Sequence, residues 1–233
     1  MENRKEIFGW AMFDFANPSY TTVVVTVAFS VYFTTLVAPG PRGDWLWGLG
    51  DLISNLLVRA SAPLGSALSD GSGRKKHFLA VTWLVCSAGT AALWFAVPGA
   101  VFVALVLFVI SNVAFAMGET LVGGFLPEIS TPRNVGRISG LGWGLGYFGG
   151  LACLLLIRPL MAGDFVAANL GSLRLIWPLT ALFFLFAGIP TFVLLRERAP
   201  RVEHASLRHF AAAGLHRLRD TSRSIRRVDT PSR

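Results

Sequence analysis

Asp14, Asn17 and Thr21 recur at i, i+3 and i+7, and Asp51, Asn55 and Arg59 recur at i, i+4 and i+8. On a helix each set falls on one face. A carboxylate in such a row can hold a proton or an ammonium group, an amide can donate and accept, and a guanidinium can balance the acid. The setting gives these rows weight. Both interrupt long apolar runs, and a charge at the centre of a bilayer costs at least ~2.5 kcal/mol on insertion scales. Asp14, Asn17 and Tyr20 on the first run, with Asn55 and Arg59 on the second, are therefore the candidate substrate or proton contacts. The competing reading is that these groups merely satisfy one another, as buried ions must. Asp14 lies about seven residues from the end of its run and Arg59 about ten. At 1.5 Å per residue these are depths of roughly 10 and 15 Å, close enough for a pair between adjacent helices. Trp143 and Tyr147, at i and i+4, offer two aromatic faces to a solute or, more simply, to a packing neighbour.

No nucleophile–base pair, cofactor motif or metal-ligand cluster can be assembled around these residues, so an enzyme is disfavoured and no cofactor is expected. There is no P-loop to bring ATP chemistry. His77, His204, His209 and His216 have no clustered cysteine or carboxylate partners. Cys86 and Cys153 sit in apolar runs and read as small buried hydrophobes. The net charge of +8 comes without the aromatic-basic readout face that nucleic acid would require.

The elements that position the polar rows are apolar helices. Hydrophobic residues make up 53% of the 233 positions and charged residues only 15%, and the charges gather between the apolar runs. A spanning helix needs about 20 mostly apolar residues to cross a ~30 Å hydrocarbon core. Six runs qualify: 7–37, 45–68, 78–97, 100–122, 138–161 and 175–195. The fold class expected is all-α and integral to a membrane, with a six-helix bundle over 1–195 and a basic tail over 196–233. In the tail, Leu207, Phe210, Leu215, Leu218 and Ile225 fall in a helical pattern between arginines, which describes an amphipathic helix on a membrane surface. The first run is too long for a straight crossing, and Pro98-Gly99 makes the third and fourth spans antiparallel neighbours.

Basic residues orient the bundle. Arg4, Lys5, Arg74, Lys75, Lys76, Arg133, Arg137 and the arginines of the tail fall on one side, against Arg42, Arg158 and Arg174 on the other. By the positive-inside rule both termini are cytoplasmic. The segment after the first methionine lacks the form of a cleavable leader, because its apolar run is too long and carries Asp14 and Asn17.

The turn after the second run reads Ser66-Ala67-Leu68-Ser69-Asp70-Gly71-Ser72-Gly73-Arg74-Lys75-Lys76. Gly71 and Gly73 permit positive φ, Asp70 can accept donors at a helix start, and the basic triplet holds the turn in the cytoplasm. This spacing resembles the signature loop of the major facilitator superfamily, G-x-L-A-D-R-x-G-R-R/K, between its second and third helices. Ser66 stands where the first glycine is expected and Gly71 where a basic residue is usual. The resemblance implies that Asp70, Gly73, Arg74 and Lys75 form a conformational-switch loop that braces this half of a transporter against the other.

A narrower resemblance covers more of the chain. Trp10-Ala11-Met12-Phe13-Asp14-Phe15-Ala16-Asn17-Pro18-Ser19-Tyr20, Phe125-Leu126-Pro127-Glu128-Ile129 and Gly136-Arg137-Ile138-Ser139-Gly140-Leu141-Gly142-Trp143-Gly144-Leu145-Gly146-Tyr147 are similar, in order, to three segments of the vacuolar-effluxer-like branch, also called the unknown major facilitator family. Val122-Gly123 departs from the Tyr-Asn usual there, which removes two polar groups.

The resemblance implies a secondary active transporter, or its N-terminal six-helix half. Such a protein moves a small solute, amino acids being the class suggested, by alternating access and with or without coupled protons. It would sit in the plasma or inner membrane of the cell and need a C-terminal half or a second copy. The alternative is a truncated, non-transporting remnant or scaffold. Glu119 and Glu128 lie toward the cytoplasmic end of the fourth run, where Glu128 and Arg137 are expected to form a structural ion pair, a gating role being the lesser reading.

Overall fold

The computed structural model describes residues 4–198, without the side chains of Leu64, Ala67, Leu68 and Asp70. The amphipathic helix expected over 207–225 lies outside the described residues. These form six long helical segments with no strand among them: α1 (Arg4–Val37), α2 (Pro41–Ser72), α3 (Lys75–Phe95), α4 (Val101–Ile129), α5 (Val135–Met161) and α6 (Ala167–Leu194).

Five of these segments, all but α2, are long and apolar enough to cross a membrane, where six were expected. The expected second span falls within α2, whose 32 residues exceed the length required. Asp51, Asn55 and Arg59, two of them charged, dilute its apolar content.

Glycines end the helices where backbone geometry demands them. Gly73 closes α2 at φ +61°, a left-handed conformation that costs glycine nothing. Gly99 (φ +83°) turns the chain between α3 and α4, which pack together as the Pro98-Gly99 turn requires. Gly71 keeps helical geometry inside α2, and Asp70 therefore belongs to the last turn of α2 rather than to the start of α3.

The first helix is long because it is irregular. Pro18 has no N–H to give the Asp14 carbonyl, and the α-helical ladder breaks at Asn17. Beyond Tyr20 the helix widens into π-helical stretches at Thr21–Val27 and Phe33–Val37. The Thr26 hydroxyl donates to the Thr21 carbonyl at 3.0 Å within the first of them.

α1 packs against α5 and α6, α4 against α2 and α3, and α3 also against α6. In lipid the exterior is as apolar as the interior, so close packing and interhelical hydrogen bonds must hold these contacts. Bonds tie α1 to α4 along its length: Trp10 Nε1 donates to the Val122 carbonyl at 3.0 Å, and the Tyr20 and Ser111 hydroxyls meet at 2.8 Å. Across the other seam the Thr191 hydroxyl of α6 donates to the Gly9 carbonyl at 2.7 Å. Each such bond is worth roughly 0.6–2 kcal/mol in a membrane. Where α1 ends, Phe29, Tyr32, Trp47, Phe108 and Trp177 form an aromatic core, with Trp47 and Phe108 centroids 4.4 Å apart.

Candidate functional site

On the α1–α5 side an open groove of about 560 Å³ runs between the helices. Asp14, Asn17, Thr21 and Thr22 line it from α1, Glu119 from α4, and Trp143 and Tyr147 from α5. The backbone explains why the groove opens here. The break at Pro18 and the π-helical widening after it fall beside these residues on α1.

On α5, glycines bring the helices close. A Cβ on Gly142 would overlap the Asp14 carboxylate and approach the Trp10 ring, and one on Gly149 would overlap the Phe15 carbonyl. A Cβ on Gly146 would sit 3.0 Å from the Asp14 carbonyl oxygen. Gly140 and Gly144 face open space, so the contact surface is a phase of the glycine-rich run and not the whole of it.

The groove joins three polar side chains. Asn17 is buried, and its Nδ2 donates to Glu119 Oε1 at 3.2 Å across α1 and α4. Its Oδ1 has no hydrogen-bond partner. Asp14 is half-buried, whereas Glu119 opens to the surface. Trp143 and Tyr147 are 69% and 73% exposed, one helical turn apart, so both rings are available to whatever meets this face.

The other expected site residues go elsewhere. Tyr20 is 1% exposed, stacked on Phe115 with centroids 4.8 Å apart and bonded to Ser111, which makes it a packing residue. Asn55 and Arg59 are exposed on α2. The Asn55 amide bonds within its own helix, to the Asp51 carbonyl at 2.9 Å and carboxylate at 3.1 Å. Asp14 and Arg59 are not brought together, because α1 leans on α5 and α6 while α2 leans on α4. Glu119 was undervalued from the sequence. An acid inside the most apolar helix is the available signal, the same one that singles out Asp14.

The charged end of the bundle forms a separate cluster. Lys75 Nζ meets Glu128 Oε1 at 2.8 Å, tying the α2–α3 turn to the end of α4. Arg198, just past α6, reaches the buried Glu6 carboxylate on α1 and donates to the Glu128 carbonyl at 2.7 Å. Lys76 donates to the Leu195 carbonyl at 2.7 Å. Arg74 precedes α3 and is exposed, as is Arg137 in the first turn of α5. The Asp70 side chain lies outside the described residues. Cys86 and Cys153 are buried free thiols.

A family model described as vacuole effluxer Atg22 like matches residues 51–230. Two of the three resembling segments, 125–129 and 136–147, fall inside that match, and the 10–20 segment precedes it. An uncharacterized MFS-type transporter of Bacillus subtilis (strain 168), YxiO, is 27% identical over 150 residues, which cover 62% of this chain and 35% of that protein. The chain thus spans little more than a third of the length of that relative. No solved structure matches. Helices of membrane-crossing length, the major-facilitator loop spacing and a family match over most of the residues lead to one assignment: this chain belongs to the vacuole effluxer Atg22-like family.

Proposed function

We propose that this chain forms one wall of the solute site of a secondary active transporter that works by alternating access. The observation that carries the reading is the groove itself. Asp14, Asn17 and Glu119 meet there beside two exposed aromatic rings, inside helices long and apolar enough to lie in a membrane. Polar groups at that depth are costly unless used, and solute sites of such transporters lie near the midplane between two bundles.

In this reading α2 is a sixth span, its polar row facing a second bundle supplied by a C-terminal half or another copy of the chain. Both termini are cytoplasmic, on the positive-inside argument. Asp70, Gly73, Arg74 and Lys75 form the switch loop. Glu128, already paired with Lys75, also pairs with Arg137 at the cytoplasmic end, and these contacts are broken and remade as the bundles rock. The solute class is small and polar, amino acids included.

The test is flux. The chain is reconstituted in liposomes, alone and together with a candidate C-terminal half, and saturable counterflow of radiolabelled amino acids and amines is measured. Counterflow that needs the second bundle and disappears with Asp14→Asn supports the proposal. No counterflow from any assembly would leave a membrane protein that does not transport. Orientation is read separately. A cysteine placed at His77 should be shielded from an impermeant thiol reagent in intact cells, and one placed at Arg42 should be labelled.

A further inference from the structure

We propose that the groove selects an organic cation: an amine whose ammonium group sits among Asp14, Glu119 and Asn17, with its apolar body against Trp143 and Tyr147. The inference deepens the transport reading and rests on it, because it names what the solute wall recognises.

The lining residues are uneven in their chemistry. Among the described residues that line it, two are carboxylates and none is a lysine, arginine or histidine. A solute carboxylate entering here would face two acids with no cation beside it. Three of the described cations are engaged elsewhere: Lys75 with Glu128, Arg198 with Glu6, and Arg174 with Trp94.

Asn17 sharpens the point. Its one amide donor group is directed at Glu119, and the remaining Oδ1 is an acceptor without a partner in a side chain only 5% exposed. Buried acceptors in folded proteins are almost always met by a donor. An ammonium group brings three donors and no acceptor, the complement of this wall.

The aromatic pair supplies the other half of the recognition. Cations are drawn to the faces of tryptophan and tyrosine within about 6 Å of the ring centroid. The chain uses that attraction within itself, since the Arg174 guanidinium lies 4.4 Å from the Trp94 centroid. Trp143 and Tyr147 offer the same surface, and among the described residues that line the groove none is a cation. The volume of about 560 Å³ lies within the ~300–1,000 Å³ common for small-molecule sites. A bare proton could occupy a carboxylate, but it would leave the Asn17 acceptor unmet and give the two rings no role.

The test compares three probes that share a ring and differ in charge. Binding of 2-phenylethylamine, phenylalanine and 3-phenylpropionate to the purified full chain in lipid nanodiscs is measured by calorimetry. The expected result is saturable binding of the amine, at least tenfold weaker binding of phenylalanine, and none of phenylpropionate. Asp14→Asn and Glu119→Gln should each weaken amine binding at least tenfold. Asp14→Glu should restore most of it, and Asp51→Asn should leave it unchanged. Thermal unfolding of each variant separates lost binding from lost folding.

Equal affinity for the amine and phenylalanine, no binding by any probe, or amine binding indifferent to both acidic substitutions would overturn the proposal. Its failure is distinguishable from failure of the transport reading. Counterflow of a zwitterion that is abolished by Asp14→Asn would leave transport standing and remove only the cation.

Discussion

Two helices carry polar rows at nearly the same spacing and meet opposite fates. On α1, Asp14 and Asn17 turn toward α4 and α5, where Glu119 and the aromatic pair complete a groove. On α2, Asp51 and Asn55 bond to each other within one helix, and Arg59 is exposed. The links to α4 come from serines outside that row: Ser54 accepts the Asn112 amide at 2.8 Å and the Ser61 hydroxyl donates to Met117 Sδ at 3.6 Å. The difference teaches that helical spacing assigns residues to a face, whereas a site requires a neighbour with complementary groups. A row that closes on itself needs no ligand. A row whose members reach across helices and keep an unmet acceptor is where we place one.

The strongest way to break this comparison is to exchange the roles of the two acids. Removing a charged partner from a hydrogen-bonded site costs about 1.5–3 kcal/mol, or roughly ten- to a hundredfold in affinity. Asp14→Asn in a transport-competent assembly should therefore lower solute flux by that factor or more, while membrane insertion stays normal. Asp51→Asn should stay within about twofold, because its interactions are local and exposed. Equal losses from both substitutions would erase the distinction.

Next in size is the seam that holds the groove wall in place. Gly149→Ala drives a methyl group into the Phe15 carbonyl, and backbone has little freedom to yield. Overpacking of this kind costs typically about 1–3 kcal/mol, which should appear as a clear drop in the unfolding temperature of the detergent-solubilised chain. Gly142→Ala meets the Asp14 carboxylate and the Trp10 ring, both of which can shift. Its stability loss should be smaller, and its effect should fall on function. Flux or amine binding should drop about tenfold, approaching that of the Asp14 variant, since about 1.4 kcal/mol corresponds to each tenfold change. If Gly142→Ala binds and transports normally, Asp14 does not need its present position.

The smallest expected effect sharpens the same contrast. Gly144 lies two residues from Gly142 and faces open space. Gly144→Ala should be neutral or stabilise α5 by up to about 1 kcal/mol, the helix-propensity difference between the two residues. A large loss there would mean that this face is covered by a partner bundle in the assembled protein.

Much of this protein could be read from its residues alone. The helical membrane class, the breaks at Gly73 and Gly99, the family segments and the candidacy of Asp14 and Asn17 all depend on run length, local backbone chemistry or a charge in an apolar setting. These are properties of a segment by itself. The rotation of each helix about its axis was not legible. In water, an apolar stripe marks the face that turns inward. In a bilayer the lipid side is as apolar as the core, so packing decides which way each face turns. For that reason only the tertiary structure brought Glu119 to Asn17, buried Tyr20 against Phe115 and Ser111, left Asn55 and Arg59 outside, and separated the glycines that touch α1 from those that do not.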